Sequence, residues 1–134
     1  MDGADVKAYS LKKDGDMNLT AHFKVKEFAC QDGSDTVFIA KDLPMVCEYI
    51  RARCGTALTI NSAYRTEKHN GKVGGAEFSQ HLYGAAADLK IPNGHTALEM
   101  ANIAREIMPN FGGVGIYGWG IHVDVRSEKT DWNG

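Results

Sequence analysis

Apolar positions along this chain fall into helical stripes and alternating runs, and together these predict most of its elements. Leu43, Cys47, Ile50 and Cys54 recur at i, i+4, i+7 and i+11, one stripe of an amphipathic helix. Pro44 suits the first turn of that helix and Gly55 its C-terminal cap, so a helix is predicted over about residues 41–54. Residues 57–63 alternate apolar and polar side chains as a half-buried strand does, and a second strand is predicted over about residues 86–91, closed by Pro92-Asn93-Gly94. Thr96 and Glu99 have capping-box spacing, and Ala97, Met100, Ala101, Ala104, Ile107 and Met108 then give a helix its apolar face, with Pro109 as its stop. Residues 112–117 and 121–125 predict a hairpin that turns at Gly118-Trp119-Gly120.

Before residue 20 no clear period emerges, and these residues read as a loose or edge segment. Phe23, Val25 and Phe28 form a short apolar cluster suited to docking on a core, and residues 31–35 carry turn chemistry. The sum is an α+β fold, a small and largely antiparallel sheet flanked by helices. Residues 1–17 are expected to be an N-terminal extension and 18–134 the functional domain.

Composition narrows the function classes. The 134 residues suffice for one hydrophobic core, and 43% apolar with 24% charged residues is ordinary for a globular domain. A net charge of −2 argues against a nucleic-acid partner. No apolar run reaches the length of a membrane span, and the first residues lack the apolar stretch of a signal peptide. A monomer is expected. Cys30, Cys47 and Cys54 form no CxxC and read as reduced thiols of the core.

The candidate chemistry lies in two segments. Residues 121–126 alternate strictly, with Ile121, Val123 and Val125 on one face and His122, Asp124 and Arg126 on the other. A row of imidazole, carboxylate and guanidinium suits a cleft better than a merely solvated face. The second segment runs Ser-Gln-His-Leu-Tyr-Gly-Ala-Ala-Ala-Asp from Ser79 to Asp88. Its small residues allow close approach, and Asp88 interrupts an apolar strand, which is costly unless it is paired or binds a cation. Two imidazoles and a carboxylate, His81, His122 and Asp88, suit Zn²⁺ and leave a fourth position for water.

Several runs carry a family resemblance. Residues 61–66 (Asn-Ser-Ala-Tyr-Arg-Thr), His69-Asn70, Val73-Gly74-Gly75-Ala76, the segment from Ser79 to Asp88, residues 113–117 and His122-Val123-Asp124-Val125-Arg126 closely resemble the zinc D-Ala-D-Ala carboxypeptidase and endolysin-peptidase family, in its phage- and prophage-type branch. The resemblance spans about residues 18–132. It implies a hedgehog-type α+β fold, His81, Asp88 and His122 as zinc ligands, and Arg65 as the arginine that holds the substrate's carbonyl or carboxylate and stabilises the oxyanion. It further implies Ser79, Gln80 and Tyr117 as neighbours of the substrate or of the ligands. A base must take a proton from the attacking water. Relatives keep a Glu or Asp three residues before the third ligand, or a His two before it, whereas this chain has Trp119 and Gly120 there. Asp124 is the best substitute, as base or as a carboxylate orienting a ligand imidazole; His69 is a further candidate.

The expected function is a zinc peptidase that cuts stem peptides or cross-bridges of bacterial peptidoglycan, in phage or prophage lysis. Such a protein is made in the cytoplasm and meets the wall after release through a holin or another export route, or as a phage component. The competing expectation is a wall-binding or tail-associated module that keeps zinc and has impaired catalysis. A phosphate- or nucleotide-handling enzyme finds little support, because Gly74-Gly75 lacks the following Gly-Lys-Ser/Thr of a phosphate loop.

Overall fold

A computed structural model describes residues 5–134; the first four residues of the expected N-terminal extension lie outside this range. The described residues form two sheets with helices packed against them, an α+β architecture. β1 (Val6–Ser10) and β2 (Thr36–Ala40) make an antiparallel pair, with the short helix α1 (Leu11–Asp14) following β1. The second sheet contains β3 (Ile60–Ser62), β4 (Ala86–Lys90), β5 (Gly113–Ile116), β6 (Gly120–Asp124) and β7 (Thr130–Asn133), in the order β3-β4-β6-β5-β7. All its pairs are antiparallel except β5 with β7.

Both predicted helices form, and most of their predicted signals are present. α2 (Leu43–Cys54) carries Pro44 in its first turn, and Gly55 ends it in the left-handed conformation at φ 68°. Its stripe of Leu43, Cys47, Ile50 and Cys54 is buried. In α4 (Ala97–Ile107) the Thr96 side chain accepts from the Glu99 amide at 3.1 Å. The capping box is only half made, because the Glu99 carboxylate is taken by His95 at 2.5 Å instead of the Thr96 backbone. That bond also leaves His95 half-buried. Met100, Ala101, Ile103 and Ala104 of α4 pack with α2 and the large sheet into one core.

Other expectations need correction. The strand expected over 57–63 contracts to β3, because it lies at a sheet edge and its pairing with β4 is irregular between Ile60 and Ser62. The unpatterned start of the chain contains a strand, β1, held by its ladder with β2 and not by a buried face. Phe23, Val25 and Phe28 dock on the core as expected, around a 3₁₀ turn at Val25–Phe28. The polar tail contributes β7, which brings Trp132 back against the large sheet.

All three thiols are buried and unpaired. Burial pushes the Cys47 thiol up to about 12, and nearby Glu27 and Glu48 add to the shift, so it is chemically inert.

Candidate metal centre and cleft

Antiparallel pairing of β4 with β6 sets Asp88 directly opposite His122. The register row continues on both sides, from Ser62 beside Asp88 to Gly115 beside His122 and then to Trp132. Both ligand-bearing strands lie inside the sheet, so neighbours on each side hold their backbones. His81 arrives from the 3₁₀ turn Gln80–Tyr83, capped by the Ser79 hydroxyl, which accepts from the His81 amide at 3.2 Å. Gly84 ends this turn at φ 70° in close contact with the Phe38 carbonyl of β2, where any side chain would collide.

Three donor atoms converge. Asp88 Oδ1 lies 3.2 Å from His81 Nε2 and 3.1 Å from His122 Nδ1, and the set is buried with all its ligand atoms within 4.8 Å of one another. The remaining ring nitrogens are committed. His81 Nδ1 donates to the Ala63 carbonyl at 2.6 Å, and His122 Nε2 to Asp124 Oδ2 at 2.7 Å. These bonds select the tautomers whose lone pairs point at Asp88. Tetrahedral ligands about 2.0–2.1 Å from a zinc-sized ion are about 3.3 Å apart, so the residues present fit a metal ion.

Electrostatics favour the liganding state of the carboxylate. Burial alone would raise the Asp88 carboxyl, but its interactions with the His122 and His81 rings, strongest in the metal-free site when a ring carries both protons, outweigh it and hold the group well below the usual range. Asp124 shows the same balance, with His122 and Arg126 as the opposing partners. For His122, burial favours the neutral ring, yet the bonds to Asp124 and Asp88 prevail and raise its pKa above the ordinary 6.5.

Above the triad opens a cleft of about 610 Å³, lined by Arg65, Ser79, Gln80, Tyr117 and the triad itself among others. Arg65 is fixed from three sides, by Ser62 Oγ at 3.1 Å, Asn70 Oδ1 at 3.2 Å and Asp88 Oδ2 at 3.5 Å. Asn70 is a buried residue that sequence reasoning left without a role. It lies on α3 (Glu67–Lys72) and also donates to the Ala76 carbonyl at 2.8 Å, tying Arg65 to the cleft-edge loop. Gln80 Oε1 is buried without a partner, an acceptor awaiting a donor.

Asp124 lies behind His122 and does not line the cleft. It has no solvent exposure. Its Oδ1 accepts from the Gly113 amide and from the Arg126 amide and Nε, at 2.8–3.2 Å, and its Oδ2 from His122 and Arg126 Nη2, each at 2.7 Å. Trp119 lines the cleft and stacks on Tyr117, and its indole offers no proton acceptor there. His69 lies on α3 and does not line the cleft, and His22 is exposed and pairs with Glu48.

A structural metal site closes around its ion, whereas His81, Asp88 and His122, which could hold a metal ion, lie at the floor of a solvent-open cleft beside a fixed arginine, an arrangement compatible with a metal-dependent hydrolase. A family model described as Peptidase M15 matches residues 21–124. With well over half of its length matched, the chain belongs to the Peptidase M15 family, whose members are metal-dependent peptidases acting on peptide substrates. No curated protein matches the chain. No helix among the described residues is long and apolar enough to cross a membrane.

Proposed function

We propose that this chain is a zinc-dependent peptidase that hydrolyses peptide bonds in the stem peptides or cross-bridges of bacterial peptidoglycan. The carrying observation is the donor set, in which two imidazoles of fixed tautomer turn their free nitrogens on one carboxylate oxygen at the floor of an open cleft. Two nitrogens and an oxygen suit Zn²⁺ better than the all-oxygen shells that Mg²⁺ and Ca²⁺ take. When bound, zinc supplies a Lewis acid for the scissile carbonyl and makes a water acidic enough to ionise near neutral pH. The phage or prophage setting rests on the resemblance of residues 113–117 and 122–126 to that branch of the family.

The chain's own residues divide the remaining work. His81 Nε2, Asp88 Oδ1 and His122 Nδ1 hold the ion. Arg65, immobilised by Ser62, Asn70 and Asp88, places a guanidinium where it meets the substrate's carbonyl oxygen and the charge that develops on it. Gln80 lines the cleft and meets the substrate there. Asp124 acts as a positioning residue and not as the base, because five donors occupy its oxygens and His122 stands between it and the cleft.

One observation favours the alternative of a zinc-holding wall-binding module with impaired catalysis. Apart from the ligands themselves, no carboxylate or imidazole lines the cleft among the described residues. A peptidase built this way loses the attacking water's proton to solvent through the open cleft and takes the leaving amine's proton from solvent by the same route.

Incubation of the zinc-loaded protein with defined muropeptides, followed by mass spectrometry, separates the readings. Fragments with new amino termini, absent with a chelator and restored by zinc, are expected, and their masses identify the bond. Tight zinc binding with no fragments from any wall type would instead establish the binding module.

A further inference from the structure

The cleft that Arg65 lines carries a second fixed donor. Arg65 enters just after β3, at one end of the row Ser62–Asp88–His122–Gly115–Trp132, whereas Tyr117 leaves β5 near the other end. The two residues flank the ligand-bearing strands from opposite sides, and both line the cleft. Tyr117 is held in place. Trp132 Nε1 donates to its hydroxyl at 2.8 Å, and its ring stacks on Trp119 with centroids 4.9 Å apart and planes 15° from parallel. An indole N–H can only donate, so the phenol oxygen is the acceptor in that bond. The hydroxyl's own hydrogen meets no acceptor among the described residues. Gly115 makes the arrangement possible, since a Cβ there would lie 2.5 Å from the Trp132 indole.

We infer that Tyr117 is a catalytic residue, whose hydroxyl donates a hydrogen bond to one oxygen of the tetrahedral species formed during peptide hydrolysis while Arg65 holds the other. The inference rests on the peptidase reading above. A tetrahedral carbon derived from a peptide carbonyl and water bears two oxygens, and two fixed donors that line one cleft from either side of the Asp88 and His122 strands match that pair. A donor oriented before reaction stabilises the charge without reorganisation, and the Trp132 N–H polarises the phenol so that its own O–H donates more strongly. The role also explains why residues at the far ends of β5 and β7 are brought together beside His122, whose ring lies 5.1 Å from that of Trp132.

The test compares two probes on the zinc-loaded protein by calorimetry, a phosphinate dipeptide analogue with two tetrahedral oxygens and an unreactive dipeptide product. In Tyr117→Phe, phosphinate affinity and kcat are expected to fall by about 100-fold, the loss typical of one oxyanion donor. Product affinity, KM and zinc stoichiometry are expected to stay unchanged. Trp132→Phe, which removes the N–H and keeps a ring over Gly115, is expected to shift the same two quantities less. Unchanged phosphinate affinity in Tyr117→Phe, or an equal loss for both probes, would overturn the inference. If the parent cleaves no wall peptide, the peptidase reading falls, and the phosphinate comparison still decides the role of Tyr117.

Discussion

His122 concentrates the chemistry of this site, because each of its nitrogens faces a carboxylate, Asp88 at 3.1 Å and Asp124 at 2.7 Å. Without metal, those partners raise its pKa above 6.5, and Nδ1 must shed a proton before it can bind a metal ion. Protons therefore compete: zinc affinity is fully developed above the raised value and falls as pH drops through it. Calorimetric titration at successively lower pH is expected to show this fall, with proton release accompanying zinc binding, and a flat profile would contradict it. Asp124→Asn weakens the support for His122 and is expected to lower zinc affinity by about 10–100-fold, a loss typical of such outer partners. If Asp124 were instead the base, the same variant would keep its zinc and lose turnover. Asp88 and His122 stood out in the sequence because a carboxylate and an imidazole are costly in apolar strands, and His81 because it sits among small residues beside a turn; Asp124's seclusion was not legible, since alternation gives its face and not the donors that enclose it.

At the scale of elements, β5 shows what periodicity misses. Gly113 and Gly115 read as ordinary members of a strand, yet each is small for a reason set by its neighbours. A side chain at Gly113 would collide with the Asp124 carboxylate, and one at Gly115 with the Trp132 indole. Gly113→Ala is expected to displace Asp124 from His122 and so weaken zinc binding by about 10–100-fold, measured by competition with a chromophoric chelator. Parent-like affinity in that variant would show that the carboxylate is not needed to orient the ring. The helices α2 and α4 were legible throughout, since their stripes, caps and stop signals are local. β7 was not, because a parallel partner 17 residues away in register leaves no local mark.

At the scale of the molecule, the small sheet buttresses the metal site. The Ala40 amide of β2 donates to the Gly84 carbonyl at 2.8 Å, beside the turn that carries His81, and β1 covers the other edge of β2. A boundary at residue 17 would cut this ladder away. Deleting residues 1–17 is therefore expected to lower Tm and to loosen zinc binding through His81, whereas a parent-like Tm would mark those residues as a dispensable extension. The β1 strand was invisible in the sequence because most of its side chains stay exposed, so its ladder and not a buried stripe defines it.

The most direct test of the metal centre is anomalous diffraction at the zinc edge from crystals of the zinc-loaded protein. A single strong peak bonded to His81 Nε2, Asp88 Oδ1 and His122 Nδ1 is expected, with Asp124 remaining on His122 Nε2. A peak held by other residues, or none at a zinc concentration that saturates binding in solution, would contradict the assignment.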